Sequence, residues 1–115
     1  MVITSIYNEE THTEKVWYES SNIFYSEFIE NGNNGGDLYV TFKNGATYKY
    51  KDVLIAPNYL MFKHGGLDGS QGKALNKHIK GLYEYEKVSD KNITDLLIEK
   101  DKLLIKETEI ENNDE

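Results

Sequence analysis

The chain has no cysteine and no arginine among its 115 residues. The first absence excludes a disulfide, a thiol nucleophile and any zinc site built on cysteine. The second removes the bidentate guanidinium fork that reads guanine edges and clamps phosphates. Proline occurs once, at Pro57, and no apolar run approaches the ~20 residues that a membrane-crossing helix needs. The N-terminus lacks the basic and apolar regions of a signal peptide. The expectation is a soluble cytoplasmic protein with no membrane partner, in a single domain that buries roughly two-thirds of its unfolded surface.

Positive charge is in deficit. Thirteen lysines face 20 Asp and Glu, for a formal net charge of −7. Residues 1–14 carry three acids and no lysine, 15–88 nine lysines against eight acids, and 89–115 four lysines against nine acids. The acidity lies in the two ends and the middle is balanced. Such a chain is poorly suited to sequence-independent binding of duplex DNA, which depends on neutralising phosphates. Abundant Asn, Lys, Ile and Tyr beside absent Arg point to an AT-rich genome.

The most informative stretch runs from Asp37 to Val53. Two runs rich in β-branched and aromatic residues flank Asn44-Gly45, a strong hairpin signal. A two-residue turn would set Val40 opposite Lys49 and Leu38 opposite Lys51, mixing apolar and charged side chains on one face. A three-residue turn, Lys43-Asn44-Gly45 with Gly45 left-handed, instead pairs Phe42 with Ala46, Val40 with Tyr48 and Leu38 with Tyr50. Its other face carries Thr41 with Thr47, Tyr39 with Lys49 and Asp37 with Lys51. A one-residue slip exchanges the faces, so the second register is predicted. Leu38, Val40, Phe42, Tyr48 and Tyr50 then form the apolar face on which the domain is built.

Around this hairpin, strands are expected at 2–7, from Val16-Trp17-Tyr18, over 23–29 and over 83–88. Ser20-Ser21-Asn22 interrupts the second and third, and the Asn/Gly stretch 31–36 reads as a flexible, solvated loop. Pro57 suits the start of a helix through about His64, ended by Gly65-Gly66. A second helix over about 71–80 would be capped by Asp68 or Ser70 and stopped by Gly81. Asn92 suits the N-cap of a third, with Asp95 at its third position, packing on the same chain and ending near Lys106. Residues 107–115 read as a charged, mobile tail. The predicted fold class is α+β: an antiparallel sheet built on a central hairpin, covered by two short helices, plus a C-terminal helix.

Several short motifs follow one another along the chain. They are Ser20-Ser21-Asn22-Ile23, Leu38-Tyr39-Val40-Thr41-Phe42 with Asn44-Gly45, and Tyr48-Lys49-Tyr50 followed by Asp52-Val53. Later come Ser70-Gln71-Gly72-Lys73, Asn76, Ile79-Lys80 and Tyr83-Glu84-Tyr85. In this order and spacing the span from Ser20 to Tyr85 resembles the KTSC domain, a module named from a C-terminal appendage of some lysyl-tRNA synthetases and also found alone in bacteria and phages. Leu54-Ile55-Ala56 separates Val53 from Pro57, where the family's proline usually follows directly, and Leu75 replaces the aromatic common before the asparagine. The resemblance implies residues 1–19 as an N-terminal strand extension, 20–88 as the module, and 89–115 as an added helix and acidic tail. Nucleic-acid binding is the activity usually suggested for the family.

Signs of catalysis are few. His12, His64 and His78 lack metal-ligand spacing, no Gly-x-Ser-x-Gly elbow occurs, and Glu84 and Glu86 have the look of a solvated strand face. Gly69-Ser70-Gln71-Gly72-Lys73 is out of register for a P-loop, with Ala74 where Ser or Thr would hold magnesium. The segment still suits one phosphate at a helix N-terminus, with Ser70, Gly72 and Lys73 supplying hydroxyl, close backbone approach and charge. Lys77 and Lys80 continue Lys73 as a basic stripe, and the resemblance adds Asn76.

The expectation is a non-catalytic binding protein without cofactor or metal. Its first candidate ligand is a small phosphorylated molecule, a nucleotide or cyclic nucleotide, held by a homo-oligomer. The occurrence of such modules in phages fits an accessory protein that sequesters a host immune signal in the host cytoplasm. The second candidate is single-stranded nucleic acid on exposed Tyr39 and Lys49. The third is a basic host protein engaged by the acidic ends.

Overall fold

The computed structural model describes residues 1–66 and 69–113, with side chains to Thr108. Asp68, one of the two expected helix caps, and the last two residues of the expected tail lie outside them. Six strands, β1 (Val2–Asn8), β2 (Thr13–Tyr18), β3 (Ile23–Glu30), β4 (Gly35–Phe42), β5 (Thr47–Leu54) and β6 (Tyr85–Val88), form one antiparallel sheet in sequence order. With three helices they make an α+β fold. β1 and β2 pair directly into the sheet, with β1 at its edge.

The β4–β5 hairpin has the three-residue turn. Val40 faces Tyr48, Leu38 faces Tyr50 and Tyr39 faces Lys49. The Phe42 amide donates to the Ala46 carbonyl oxygen at 2.9 Å, and Gly45 takes φ 92°. One expected pair is corrected. A bulge between Gly36 and Leu38 in the register, with Asp52 at φ 53°, shifts Asp37 off Lys51. Asp37 instead accepts from the Asp52 amide at 3.3 Å and pairs with Lys49 at 3.6 Å. The loop 31–36 is shorter than expected, because Gly35 and Gly36 enter β4. A Cβ on Gly36 would collide with the carbonyl of Ile29, so bare backbone lets β3 and β4 close there.

The two faces are built differently. On the first, Val16, Tyr18, Phe28, Leu38, Val40, Tyr50 and Val53 pack with Tyr59, Phe62, Leu75 and Ile79 from the helical segments. Burying each such side chain contributes about 1.5–3 kcal/mol. Ile23 joins this face only because a bulge between Ile23 and Tyr25 breaks the two-residue alternation. The second face holds Trp17 and Tyr25 against Leu96. Buried hydroxyls are paired locally, Tyr18 with Ser26 at 2.8 Å and Thr41 with Thr47 at 2.9 Å.

The first expected helix is present in two parts. A wide helical turn, Ile55–Tyr59, leads into α1 (Leu60–Lys63), and Ala56, just before Pro57, is extended (φ −115°, ψ 128°). The residue before a proline is sterically kept from the helical region, and the Ala56–Pro57 peptide is cis. The second, α2 (Gln71–His78), breaks at Ile79, two residues early, and Gly81 follows at φ 85°. The third, α3 (Ile93–Asn113), starts at Asn92, whose side chain accepts from the Asp95 amide at 3.2 Å. It packs on its own sheet, as expected, but runs past Lys106 through most of the expected tail. That segment holds neither Gly nor Pro, and Glu107 accepts from the Thr4 hydroxyl at 2.8 Å. No helix of the described residues is long and apolar enough to cross a membrane.

Candidate functional site

α2 is placed by polar contacts at both ends. Buried Gln71 donates to the Lys63 carbonyl oxygen at 3.2 Å, and Asn58 donates to that of His78 at 2.8 Å. Ser70, extended at φ −106° and ψ 115°, accepts from the Lys73 amide at 3.3 Å as the N-cap. The amides of Gln71 and Gly72 have no acceptor within the helix, and the positive end of its dipole lies there. A Cβ on Gly72 would meet nothing closer than 4.0 Å, so this end is open.

Across from α2 stands a tyrosine wall that β5 and β6 create by register. Tyr50 faces Tyr85 and Tyr48 faces Lys87. The Tyr50 and Tyr85 rings lie 5.8 Å apart, Tyr48 and Tyr85 6.2 Å, and Phe42 meets Tyr48 edge-on at 5.9 Å. Tyr50 is buried at 3 % exposure while Tyr85 is 57 % exposed. Tyr48, expected to turn inward with Tyr50, is only half-buried and rims the opening. Burial, then the neighbouring Tyr85 and Tyr48, pushes the Tyr50 phenol up, keeping it a neutral hydrogen-bond donor.

Between helix and wall lies a cavity of about 520 Å³. Ser70, Gly72, Lys73, Asn76 and Lys80 line one side, Phe42, Tyr48, Tyr50 and Tyr85 the other, and Ser21 and Asn22 one end. A second cavity of about 430 Å³ shares Ser21, Asn22, Phe42 and Tyr48, and continues to Lys43, Asn44 and Ala46 at the hairpin turn. Among the described residues the two linings contain three lysines and no Asp or Glu. In a chain with seven more acids than lysines that local balance is unusual.

Of the residues singled out in the sequence, Ser70, Gly72, Lys73, Asn76 and Lys80 meet in this cavity. Lys77 does not line it. Tyr39 and Lys49 lie on the opposite sheet face, with the Lys49 ammonium 5.7 Å from the Tyr39 ring centre and its charge matched by Asp37. Tyr39 and then Asp37 hold that ammonium above its ordinary value. Ser21, Asn22, Phe42 and Tyr85 were not singled out as ligand-binding. Their signal was membership in the motif segments: every residue lining the first cavity except Leu75 comes from those segments. No group of His, Asp and Glu among the described residues could hold a metal ion.

The chain matches no protein-family model and no curated protein.

Proposed function

We propose that this chain is a non-catalytic binding protein of the KTSC kind, taking up a small phosphorylated ligand of nucleotide type between α2 and the tyrosine wall. The observation that carries the reading is the composition of the first cavity. Flat aromatic surface faces lysines, an asparagine and the open start of a helix, with no carboxylate among the described lining residues. A nucleotide has the complementary parts: a base to stack on tyrosine, and a phosphate for Lys73, Ser70 and the Gly72 amide. Segments separated by up to 64 positions, from Ser21 to Tyr85, supply the lining. Sequestration of a host immune signal by a phage accessory protein fits the same chemistry, since capture without turnover needs a cavity and no catalytic group. The Tyr39 and Lys49 face is a weaker candidate for single-stranded nucleic acid, because Asp37 already compensates Lys49.

Calorimetric titration with 5′-AMP, 5′-GMP and cyclic AMP, together with thermal melting, tests the proposal. Saturable binding should raise Tm by mass action. Lys73→Glu should weaken it by about tenfold or more, in line with the 1.5–3 kcal/mol of a charge-assisted hydrogen bond, and Lys49→Glu should leave it unchanged. No Tm shift with any of the three at millimolar concentration would refute the reading.

A further inference from the structure

Resting on that reading, we infer that the ligand is a dinucleotide, one nucleoside in the first cavity and the second in the cavity that ends at Lys43. The two cavities are one groove, sharing Ser21, Asn22, Phe42 and Tyr48. The shared wall is fixed. The Lys43 amide donates to the Asn22 carbonyl oxygen at 2.9 Å, tying the β2–β3 connection to the hairpin turn. Phe42 and Tyr48, edge-on at 5.9 Å, stand at the junction and present aromatic surface to both halves.

Each half repeats the same pairing of aromatic surface and ammonium. The first has Tyr50 and Tyr85 with Lys73 and Lys80. The second has Phe42 and Tyr48 with Lys43, and Asn44 at the turn. A mononucleotide fills one such unit and leaves the other hydrated. Two nucleosides joined through phosphate engage both, and the second contact becomes intramolecular, so affinity rises without any change in the first. Asn44 accepts from the Ala46 amide at 3.0 Å, which holds the turn beside Lys43 in place before the ligand arrives.

The test compares 5′-AMP with the linear dinucleotide pApA by calorimetric titration of the wild-type chain and three charge reversals. Lys43→Glu probes the second half, Lys73→Glu the first, and Lys77→Glu controls for net charge from outside the groove. Wild type should bind pApA at least about tenfold more tightly than AMP. Lys43→Glu should remove most of that advantage while leaving AMP within about twofold, as the Lys77→Glu control does. Lys73→Glu should weaken both ligands. Equal affinity of wild type for AMP and pApA, or equal losses for both in Lys43→Glu, would overturn the two-part groove and leave the first site standing. Failure of wild type to bind either ligand would overturn the underlying reading instead.

Discussion

Trp17 donates its indole N–H to the main-chain carbonyl oxygen of Leu96 at 3.0 Å, in an environment where both side chains are buried. This bond fastens α3 to the second face of the sheet, where the Trp17 ring lies tilted against Tyr25 at 4.9 Å. Trp17→Phe keeps most of the apolar volume and removes the donor, so it should cost about 1 kcal/mol. Trp17→Ala also leaves a cavity and should cost about 3–5 kcal/mol. Urea midpoints read both, and nucleotide affinity of the folded Trp17→Phe chain should not change, because Trp17 does not line the groove.

Two glycines with the same backbone sign should respond differently to alanine. Gly32 (φ 85°) has no atom within 4 Å of a built Cβ, whereas at Gly45 (φ 92°) that Cβ would sit 2.8 Å from the Lys91 carbonyl oxygen. Gly32→Ala should cost only the strain of a left-handed alanine, about 1 kcal/mol. Gly45→Ala should cost distinctly more, since it also forces apart the turn and Lys91, whose amide donates to Gly45 at 2.9 Å. Equal melting temperatures for the two variants would contradict the close approach.

Tyrosine ionisation should mark the alkaline limit of the fold. Burial first, then neighbouring groups, raises the phenols of Tyr25 and Tyr59 above their ordinary value of 10.0, and burial raises that of Tyr18 against the opposing effect of its hydrogen bond with Ser26. Below pH 10 these phenols keep their protons in both states, and stability does not depend on them. Above it the unfolded phenols lose protons that the folded ones retain. The unfolded state then binds fewer protons, and stability falls by up to about 1.4 kcal/mol per pH unit for each phenol. Ultraviolet titration should show these phenols ionising together with loss of the fold, and Tyr25→Phe should shallow the alkaline decline.

Gly72→Ala separates stability from binding. A Cβ there has open space, and alanine suits a helix better than glycine, so Tm should hold or rise, by up to about 1 kcal/mol in stability. The methyl group narrows the approach to the helix start, so affinity for 5′-AMP should fall. A variant that binds as tightly as wild type would move the phosphate away from α2.

What could be read from sequence divides by the range of the cause. The Asn44-Gly45 turn and its register were legible, because a left-handed residue and a two-residue alternation are local demands. Asn92 and Ser70 announced two helix starts for the same reason. The bulges at Ile23–Tyr25 and at Asp52 were not legible, since each settles a mismatch between neighbouring strands. Charge misled at the C-terminus: Glu107 looked solvated, but its acceptor role depends on Thr4, 103 positions away. One side of the groove was visible as a capped helix with lysines. On the facing side Tyr48 and Tyr50 were read as packing, and Tyr50 is indeed buried, but Tyr48 is half-buried and lines the cavity with exposed Tyr85.

The route of α3 bears on how the molecule comes apart. The strands lie in sequence order, so four of the five pairings join strands linked by short turns, while β6 returns to β5 only after the helical segments between Leu54 and Tyr85. The helix differs. Its start lies by the hairpin turn, where Lys91 meets Gly45, and its later part reaches Thr4 on the first strand. Until residues 93–108 dock, Trp17 and Tyr25 stay wetted. The same cover should be the first piece to lift under mild denaturant, exchanging its amide hydrogens ahead of the central strands while the groove on the opposite side keeps its shape.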